Sequence, residues 1–256
     1  MELAQRQADF ADLFERLLVP AIFDRYARDL VERARPFGPS DRILDLGCGT
    51  GIVARILRER LGGAARLTGL DPNPPMLAKA RGIAPDIEWI EGNAMALPFA
   101  DHSFEVVLAQ QVLQFVPDRS VAVRELRRAL VSGGRIVAST WRSRREQPLF
   151  EALGQVAEAH LGPANDKRFS LDGDELRALL EEAGFVDIRL DTVSLEERHS
   201  VFPIHANLAG AGYSNVDPAA MVAIEAETKP SLARFTASNG EITNQSVTNV
   251  ITARAP

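Results

Sequence analysis

The chain of 256 residues has a single cysteine and four histidines, and only 6% of its residues are aromatic. One cysteine cannot form an internal disulfide or supply a thiolate cage, so we expect no metal site. Basic residues are also in the minority, with 29 against 35 acidic ones. Because binding to phosphates needs a basic surface, this balance argues against nucleic acid as a partner.

Long apolar runs are missing as well. No stretch approaches the ~20 apolar residues of a membrane-spanning helix, and the first residues show no basic-then-apolar secretion signal. We therefore expect no membrane span and a cytoplasmic location. The shares of hydrophobic (46%) and charged (25%) residues are typical of a globular protein that can bury one large core.

The middle of the chain alternates β-rich runs with stretches of helical periodicity. The runs lie at residues 42–46, 66–70, 87–90, 105–109 and 135–139. Short strands separated by amphipathic helices predict a parallel sheet with helices on both faces. Two later runs, 185–190 and 246–253, predict further strands, and we expect the last one to close the sheet.

The remaining segments are interpreted as cover for this core. Residues 9–35 predict one or two amphipathic helices, with Pro20 at the start of the second. We expect a single domain over residues 1–256, with a core at about 40–195 plus 246–254. The N-terminal helices and a tail at 196–245 are expected to cover a substrate pocket.

A glycine-rich loop follows the first predicted strand. Gly47, Gly49 and Gly51 stand at alternate positions, where the absent Cβ lets the backbone turn sharply and approach a ligand. Asp71 ends the second predicted strand, and a carboxylate there can accept both hydroxyl hydrogens of a ribose. Together these features predict a nucleoside-containing ligand across the carboxyl ends of the strands.

The glycine spacing separates two classes of such ligands. A dinucleotide fingerprint places its third glycine one residue later, where this chain has Ile52. A nicotinamide-dependent oxidoreductase is therefore disfavoured but stays an alternative. A second alternative is a non-catalytic protein that keeps the fold as a scaffold or sensor, because fold does not determine function.

Residues 44–51, Leu-Asp-Leu-Gly-Cys-Gly-Thr-Gly, resemble the first motif of the class I S-adenosylmethionine-dependent methyltransferases. The similarity extends to 69–73 and to 91–99, where Asn93 replaces the usual aspartate. It covers about residues 13–190 and is strongest to small-molecule enzymes of the ubiquinone/menaquinone-biosynthesis type. The resemblance implies an α/β fold with a Rossmann-like, doubly wound, seven-stranded sheet, mostly parallel with a closing antiparallel strand. It also implies methyl transfer from S-adenosyl-L-methionine to a small-molecule acceptor, with S-adenosyl-L-homocysteine as product.

The resemblance further implies a set of residues that bind the cofactor. These are Asp45, Gly47, Cys48, Gly49, Asp71, Pro72, Asn73, Met76, Asn93, Ala94, Gln110 and Gln111. Asp45 would support the ammonium group of the cofactor, and Asp71 would bind its ribose. Asn93 would face the adenine edge, since an asparagine can both donate and accept. Cys48 is interpreted as a small filler of the loop rather than as a nucleophile.

The acceptor pocket is expected to be formed by the N-terminal helices, the segment after the fifth predicted strand and the tail. Its candidate apolar residues are Phe14, Phe23, Tyr26 and Trp141, for which ordinary core packing is an equal alternative. If the acceptor must lose a proton, His205 is favoured as general base over His199 and His102, because it lies in the tail. For each of the three histidines a solvated or structural role is the favoured alternative, and no residue is assigned as catalytic beyond the candidate His205. We expect a small-molecule acceptor as partner and a monomer or homodimer.

Overall fold

The structure is a computed structural model that describes residues 2–200, 202, 204–213 and 216–256, with the side chains of 2–7, 205, 206 and 209 left aside. The helices in the described residues are α1 (Glu2–Leu13), a π-helical segment (Phe14–Phe23), α2 (Asp24–Arg33), α3 (Ile52–Leu61), α4 (Pro74–Ile83), α5 (Arg119–Ala129), α6 (Pro148–Leu161), α7 (Gly173–Glu182), α8 (Ile204–Gly210) and α9 (Pro218–Ser231). The strands are β1 (Arg42–Leu46), β2 (Arg66–Asp71), β3 (Glu88–Glu91), β4 (Phe104–Gln110), β5 (Leu130–Trp141), β6 (Val186–His199) and β7 (Ile242–Arg254).

These seven strands form one sheet in the order β3-β2-β1-β4-β5-β7-β6. Strands β1 to β5 pair in parallel, and β7 runs antiparallel to both of its neighbours, β5 and β6. The predicted fold class is therefore confirmed. The antiparallel strand β7 lies inside the sheet, and β3 and β6 form its two edges.

The central strands are apolar on successive residues because helices cover both faces of the sheet. Ile43 packs into a cluster with residues of α2, α3 and α4. Its neighbour Leu44 points the other way and packs against α5 and α7. The alternation along β1 thus divides the core into two layers, one on each side of the sheet.

A third apolar cluster lies above the carboxyl ends of the strands. It joins Leu18 and Ile22 of the π-helical segment with Phe150 of α6, Ile224 of α9 and Phe202, which lies between β6 and α8. The N-terminal segment and the tail thus pack together over the sheet.

Two expectations about this cover were wrong in detail. Pro20 lies inside the π-helical segment, and helical structure continues through it into α2 instead of beginning there. Strand β6 runs on to His199 and β7 begins at Ile242, so the two strands pair along residues expected to belong to the tail. The pairing of β7 with β5 ends at Thr248, and β6 and β7 continue beyond it as a two-stranded ladder as far as the pair His199 and Ile242.

Candidate functional site

A cavity of about 660 Å³ opens at the carboxyl ends of β1 and β4. From β1 the chain order runs outward to β2 and β3, and from β4 it runs the opposite way to β5. Such a reversal leaves a crevice between the diverging loops, which is where open α/β sheets bind ligands. The volume is typical of pockets for small molecules.

The glycine loop after β1 forms one wall of this cavity. Gly47, Gly49 and Gly51 all have positive φ, at 62°, 54° and 87°. A Cβ on Gly47 would lie 2.5 Å from Val112, and one on Gly51 would lie 2.3 Å from Trp89. At Gly49 the nearest atom would be 3.9 Å away, on a phenylalanine ring. Gly47 and Gly51 thus make room for neighbouring side chains of the protein, whereas the space beside Gly49 is open in the cavity.

Asp45 lies at the base of the loop and is fully buried. Its Oδ2 accepts a hydrogen bond from the backbone N–H of Ala54, in the first turn of α3, at 3.0 Å. Burial is the main cause that raises the pKa of this carboxyl to about 7; the Ala54 bond opposes the rise and the nearby charge of Asp71 adds to it. A cation bound beside Asp45 would relieve this penalty on the charged form.

Asp71 ends β2 and connects two loops. Its Oδ2 accepts from the backbone N–H of Gly49 at 2.9 Å, and its Oδ1 accepts from that of Asn73 at 2.8 Å. Burial raises the pKa of Asp71, partly offset by these two bonds. Each oxygen keeps a further lone pair, so the carboxylate can also accept from two hydroxyl groups of a ligand.

Three other polar side chains of the cavity, those of Asn73, Asn93 and Gln110, are held by backbone groups. Asn73 caps α4, where its Oδ1 accepts from the Met76 N–H at 3.3 Å. Asn93 accepts from the Met95 N–H at 2.9 Å, and Gln110 donates to the Phe23 carbonyl at 2.9 Å. The cavity is lined by every residue predicted to bind the cofactor: Asp45, Gly47, Cys48, Gly49, Asp71, Pro72, Asn73, Met76, Asn93, Ala94, Gln110 and Gln111. We call the part formed by this set the cofactor half.

Three of the four acceptor-pocket candidates, Phe14, Phe23 and Trp141, also line the cavity. Tyr26 is not among the described residues that line it. Its ring packs edge-on against Trp141 at 5.2 Å, and its hydroxyl donates to the Ser246 carbonyl at 2.8 Å. Tyr26 was therefore wrongly expected at the pocket, and it lies one layer behind Trp141.

The three histidines considered as general bases lie in different places. His205 falls in α8, but its side chain lies outside the described residues. His199 is buried beside Glu197, with its ring against Phe202, and the ring of His102 lies against the carbonyl of Leu130. Neither of these two is among the described residues that line the cavity.

Several lining residues were missed by the sequence analysis: Phe10, Phe150, Arg168, Phe202 and Asn207. Phe10 precedes Phe14 by one helical turn, and the sequence places both on one apolar face, but only Phe14 was named as a pocket candidate. The others come from α6, α8 and loops around them, where the sequence shows no motif. Together with Phe14, Phe23 and Trp141, the rings of Phe150 and Phe202 form the aromatic half of the cavity.

Metal sites and membrane-spanning helices are two further features to consider in the described residues. Within the described part of the chain, no group of three or more histidine, cysteine or acidic side chains could hold a metal ion. No helix in the same residues is long and apolar enough to cross a membrane.

Comparison with known proteins points to one family. A family model described as a methyltransferase domain matches residues 44–138. The chain is 31% identical over 199 residues to the ubiquinone/menaquinone biosynthesis C-methyltransferase of Xanthomonas campestris, covering 68% of this chain and 77% of that protein. It is 33% identical over 213 residues to the malonyl-[acyl-carrier protein] O-methyltransferase of Halorhodospira halophila, covering 80% and 69%.

A solved structure adds the fold. The phosphoethanolamine N-methyltransferase 2 of Haemonchus contortus, in complex with phosphomonomethylethanolamine and S-adenosylhomocysteine, superposes with a TM-score of 0.59. The match covers 91% of this chain and 52% of that one at 18% identity, and so concerns the fold alone. These three similar proteins are a C-, an O- and an N-methyltransferase.

Proposed function

Because the chain belongs to the class I S-adenosylmethionine-dependent methyltransferases, we propose that it methylates a small-molecule acceptor bound in the aromatic half of the cavity. S-adenosyl-L-methionine is the cofactor of this family. The observation that carries the proposal is that all the predicted cofactor-binding residues line one cavity, which also contains the aromatic half. Family membership alone would not say where an acceptor binds.

The described residues fit this cofactor. Gly49 leaves room where any side chain would enter the cavity, so the loop can approach a ligand closely. The buried carboxyl of Asp45 is suited to an ammonium group, and the two oxygens of Asp71 are suited to the adjacent hydroxyls of a ribose. Asn93, with its Oδ1 bonded to Met95, keeps an amide donor for the adenine edge.

When bound, the cofactor supplies a methyl group already activated on a sulfonium. The work left to the protein is alignment, and holding reactants in line contributes ~7–11 kcal/mol in favourable cases. Phe14 stacks on Phe23 with 4.8 Å between ring centroids, and Trp141 lines the same cavity. These rings exclude water from the acceptor and restrict its orientation.

We propose that positioning, rather than proton abstraction, dominates catalysis. The described residues that line the cavity include no histidine. Both lining aspartates already accept backbone hydrogen bonds at the cofactor half. His205 stays a prediction for an acceptor that must lose a proton.

Calorimetric titration with S-adenosylmethionine, S-adenosylhomocysteine and NAD tests the proposal. The wild-type protein is expected to bind the first two and not NAD. Asp71→Asn keeps one acceptor for a backbone N–H but loses the charge, so its affinity for both ligands should fall at least about tenfold. Asp174→Asn, an exposed aspartate of α7, is the matched control and should bind normally.

Two results would contradict the proposal in different ways. Binding of NAD alone, or normal binding by Asp71→Asn, would remove the assigned cofactor site. Cofactor binding without turnover on any acceptor in a broad panel would instead favour the non-catalytic scaffold or sensor.

A further inference from the structure

Glu197 is a buried acid that the proposed function does not use. It lies on β6, in the two-stranded part of the ladder beyond Thr248, and is fully buried. The Ser246 hydroxyl donates to its Oε1. The Asn244 amide donates to its Oε2 at 3.3 Å, and the Nε2 of His199 lies 3.5 Å from the same oxygen. Taking a carboxylate out of water costs free energy, and apolar residues of similar volume often replace buried charges without loss of stability. Stability alone therefore does not account for an acid at this position.

One line of contacts runs from this carboxylate to Trp141 in the wall of the cavity. Because a carboxylate only accepts, the Ser246 hydroxyl must point its hydrogen at Glu197. The Tyr26 hydroxyl lies 2.5 Å from the Oγ of Ser246 and donates to the carbonyl of the same residue at 2.8 Å. The ring of Tyr26 meets Trp141 edge-on, with 5.2 Å between centroids. The acid thus orients the serine against which the residue behind Trp141 is held.

A second line of contacts runs from the carboxylate to Phe202. The ring of His199, beside Glu197, packs at 69° against that of Phe202, with 5.6 Å between centroids. Phe202 packs against Phe150 at 6.1 Å, and Phe150 against Trp141 at 5.9 Å. The two lines therefore meet, and the contacts form a closed ring that passes through the acid and through three aromatic side chains lining the cavity.

We propose that Glu197 is a positioning residue that holds these three rings in one arrangement and so sets the shape of the aromatic half. This inference rests on the proposed function, because it assigns a role at the acceptor side of the same cavity. Apolar contacts have no preferred direction, whereas hydrogen bonds do, so rings packed only on one another would be free to slide. Glu197 is not among the described residues that line the cavity, and it acts through its neighbours rather than by touching the acceptor.

The exposure of Trp141 and the binding of an apolar dye test the proposal. A Trp89→Phe background leaves Trp141 as the sole tryptophan, and acrylamide quenching of its fluorescence measures its exposure. In this background Glu197→Ala should raise the quenching constant severalfold, because the ring is no longer held from behind. The same change made in the wild type should weaken the binding of the uncharged dye N-phenyl-1-naphthylamine by about tenfold. Glu197→Gln keeps an oxygen that can accept from Ser246 and should stay closer to the wild type in both measurements.

Two serines of the same ladder provide a matched pair of variants. Ser246→Ala breaks the line of contacts to Trp141 and should raise its quenching, although less than Glu197→Ala does, because the backbone carbonyl at 246 remains. Ser194→Ala changes an exposed serine of β6 and should leave quenching and dye affinity unchanged. Since Ser246→Ala removes only one donor to the acid, it gives the test if Glu197→Ala does not fold.

Binding of S-adenosylhomocysteine separates this inference from folding and from the proposed function. Every variant should keep the wild-type affinity for it, since none of them changes the cofactor half, and this binding shows that the variant folds. Wild-type quenching and dye affinity in Glu197→Ala would overturn the inference. An equal loss of affinity for the dye and for S-adenosylhomocysteine would also overturn it, because a general loosening of the fold would explain both, and so would a wild type that does not bind the dye. Failure of the wild type to bind S-adenosylhomocysteine would overturn the proposed function, and the quenching of Trp141 would still be read without it.

Discussion

Asp45 couples the stability of the protein to pH in a direction opposite to most aspartates. Its burial raises the folded-state pKa to about 7, against about 3.9 in an unfolded chain. Between these values the folded protein binds a proton that the unfolded chain does not, so stability falls as pH rises through this interval. At pH 8 the loss is about 4 kcal/mol, of which about 2 kcal/mol accrues above pH 5.5.

Asp45→Asn isolates this effect. The asparagine Oδ1 can still accept from the Ala54 N–H, but the side chain has no charge to bury. We expect the variant to be more stable than the wild type at pH 8, and its advantage to be about 2 kcal/mol smaller at pH 5.5. Urea unfolding of both proteins at the two pH values measures this difference. An advantage that does not change with pH would refute the raised pKa.

The same substitution should weaken the cofactor. Without the carboxylate, affinity for S-adenosylmethionine is expected to fall ~10- to 100-fold, as for the loss of a charge-assisted contact. Wild-type affinity should rise about eightfold between pH 6 and pH 7.5 as Asp45 ionises, and the affinity of the variant should stay flat. For the stability measurement, Glu105→Gln is a control whose pH dependence has the opposite sign to that of Asp45→Asn. Although burial opposes it, hydrogen bonding to Arg42 lowers the pKa of Glu105, so this residue stabilises above its unfolded pKa and loses that effect as pH falls.

Two further predictions concern packing. Gly69→Ala places a Cβ 2.3 Å from the ring of Trp89 and should destabilise the fold by about 1–3 kcal/mol or more. The control Gly63→Ala, where nothing lies within 4 Å of the added Cβ, should keep the wild-type stability. Equal melting temperatures of the two variants would contradict the packing argument. Ser246→Ala removes a hydroxyl that donates to the fully buried carboxylate of Glu197. The loss of this bond should lower the free energy of unfolding by about 1–3 kcal/mol, as measured by urea titration. An unchanged urea midpoint would contradict this and would mean that the carboxylate finds another donor.

The sequence predicted the sheet well because its signals are local. Apolar runs such as that of β1, and glycines at alternate positions, reflect burial on both faces and backbone turns that neighbouring residues define. Gly51 was expected to let the loop approach a ligand, but the structure gives it a packing role. It makes room for Trp89 from β3, a contact between residues far apart in the chain that no local pattern reveals.

The acceptor side of the cavity could not be predicted in the same way. Tyr26 was a candidate for the pocket with core packing as an equal alternative, and the structure has the second: its hydroxyl donates to the Ser246 carbonyl and its ring packs behind Trp141. Arg168 and Asn207 come together only because the loop after α6 packs against α8. Neither segment has a recognisable motif, since their positions depend on tertiary packing rather than on periodicity.

The cavity is assembled from parts of the chain that do not overlap. The glycine loop, Asp71 and Asn93 fall within residues 44–138, the stretch matched by the family model, while the aromatic chamber beyond them is contributed largely by segments before and after it. Mutations that remodel the chamber can accumulate without touching the loop that carries Gly49. Substrate preference in this lineage is therefore free to diverge while the methyl donor stays the same, and the identity of the donor is a poor guide to what any one descendant modifies.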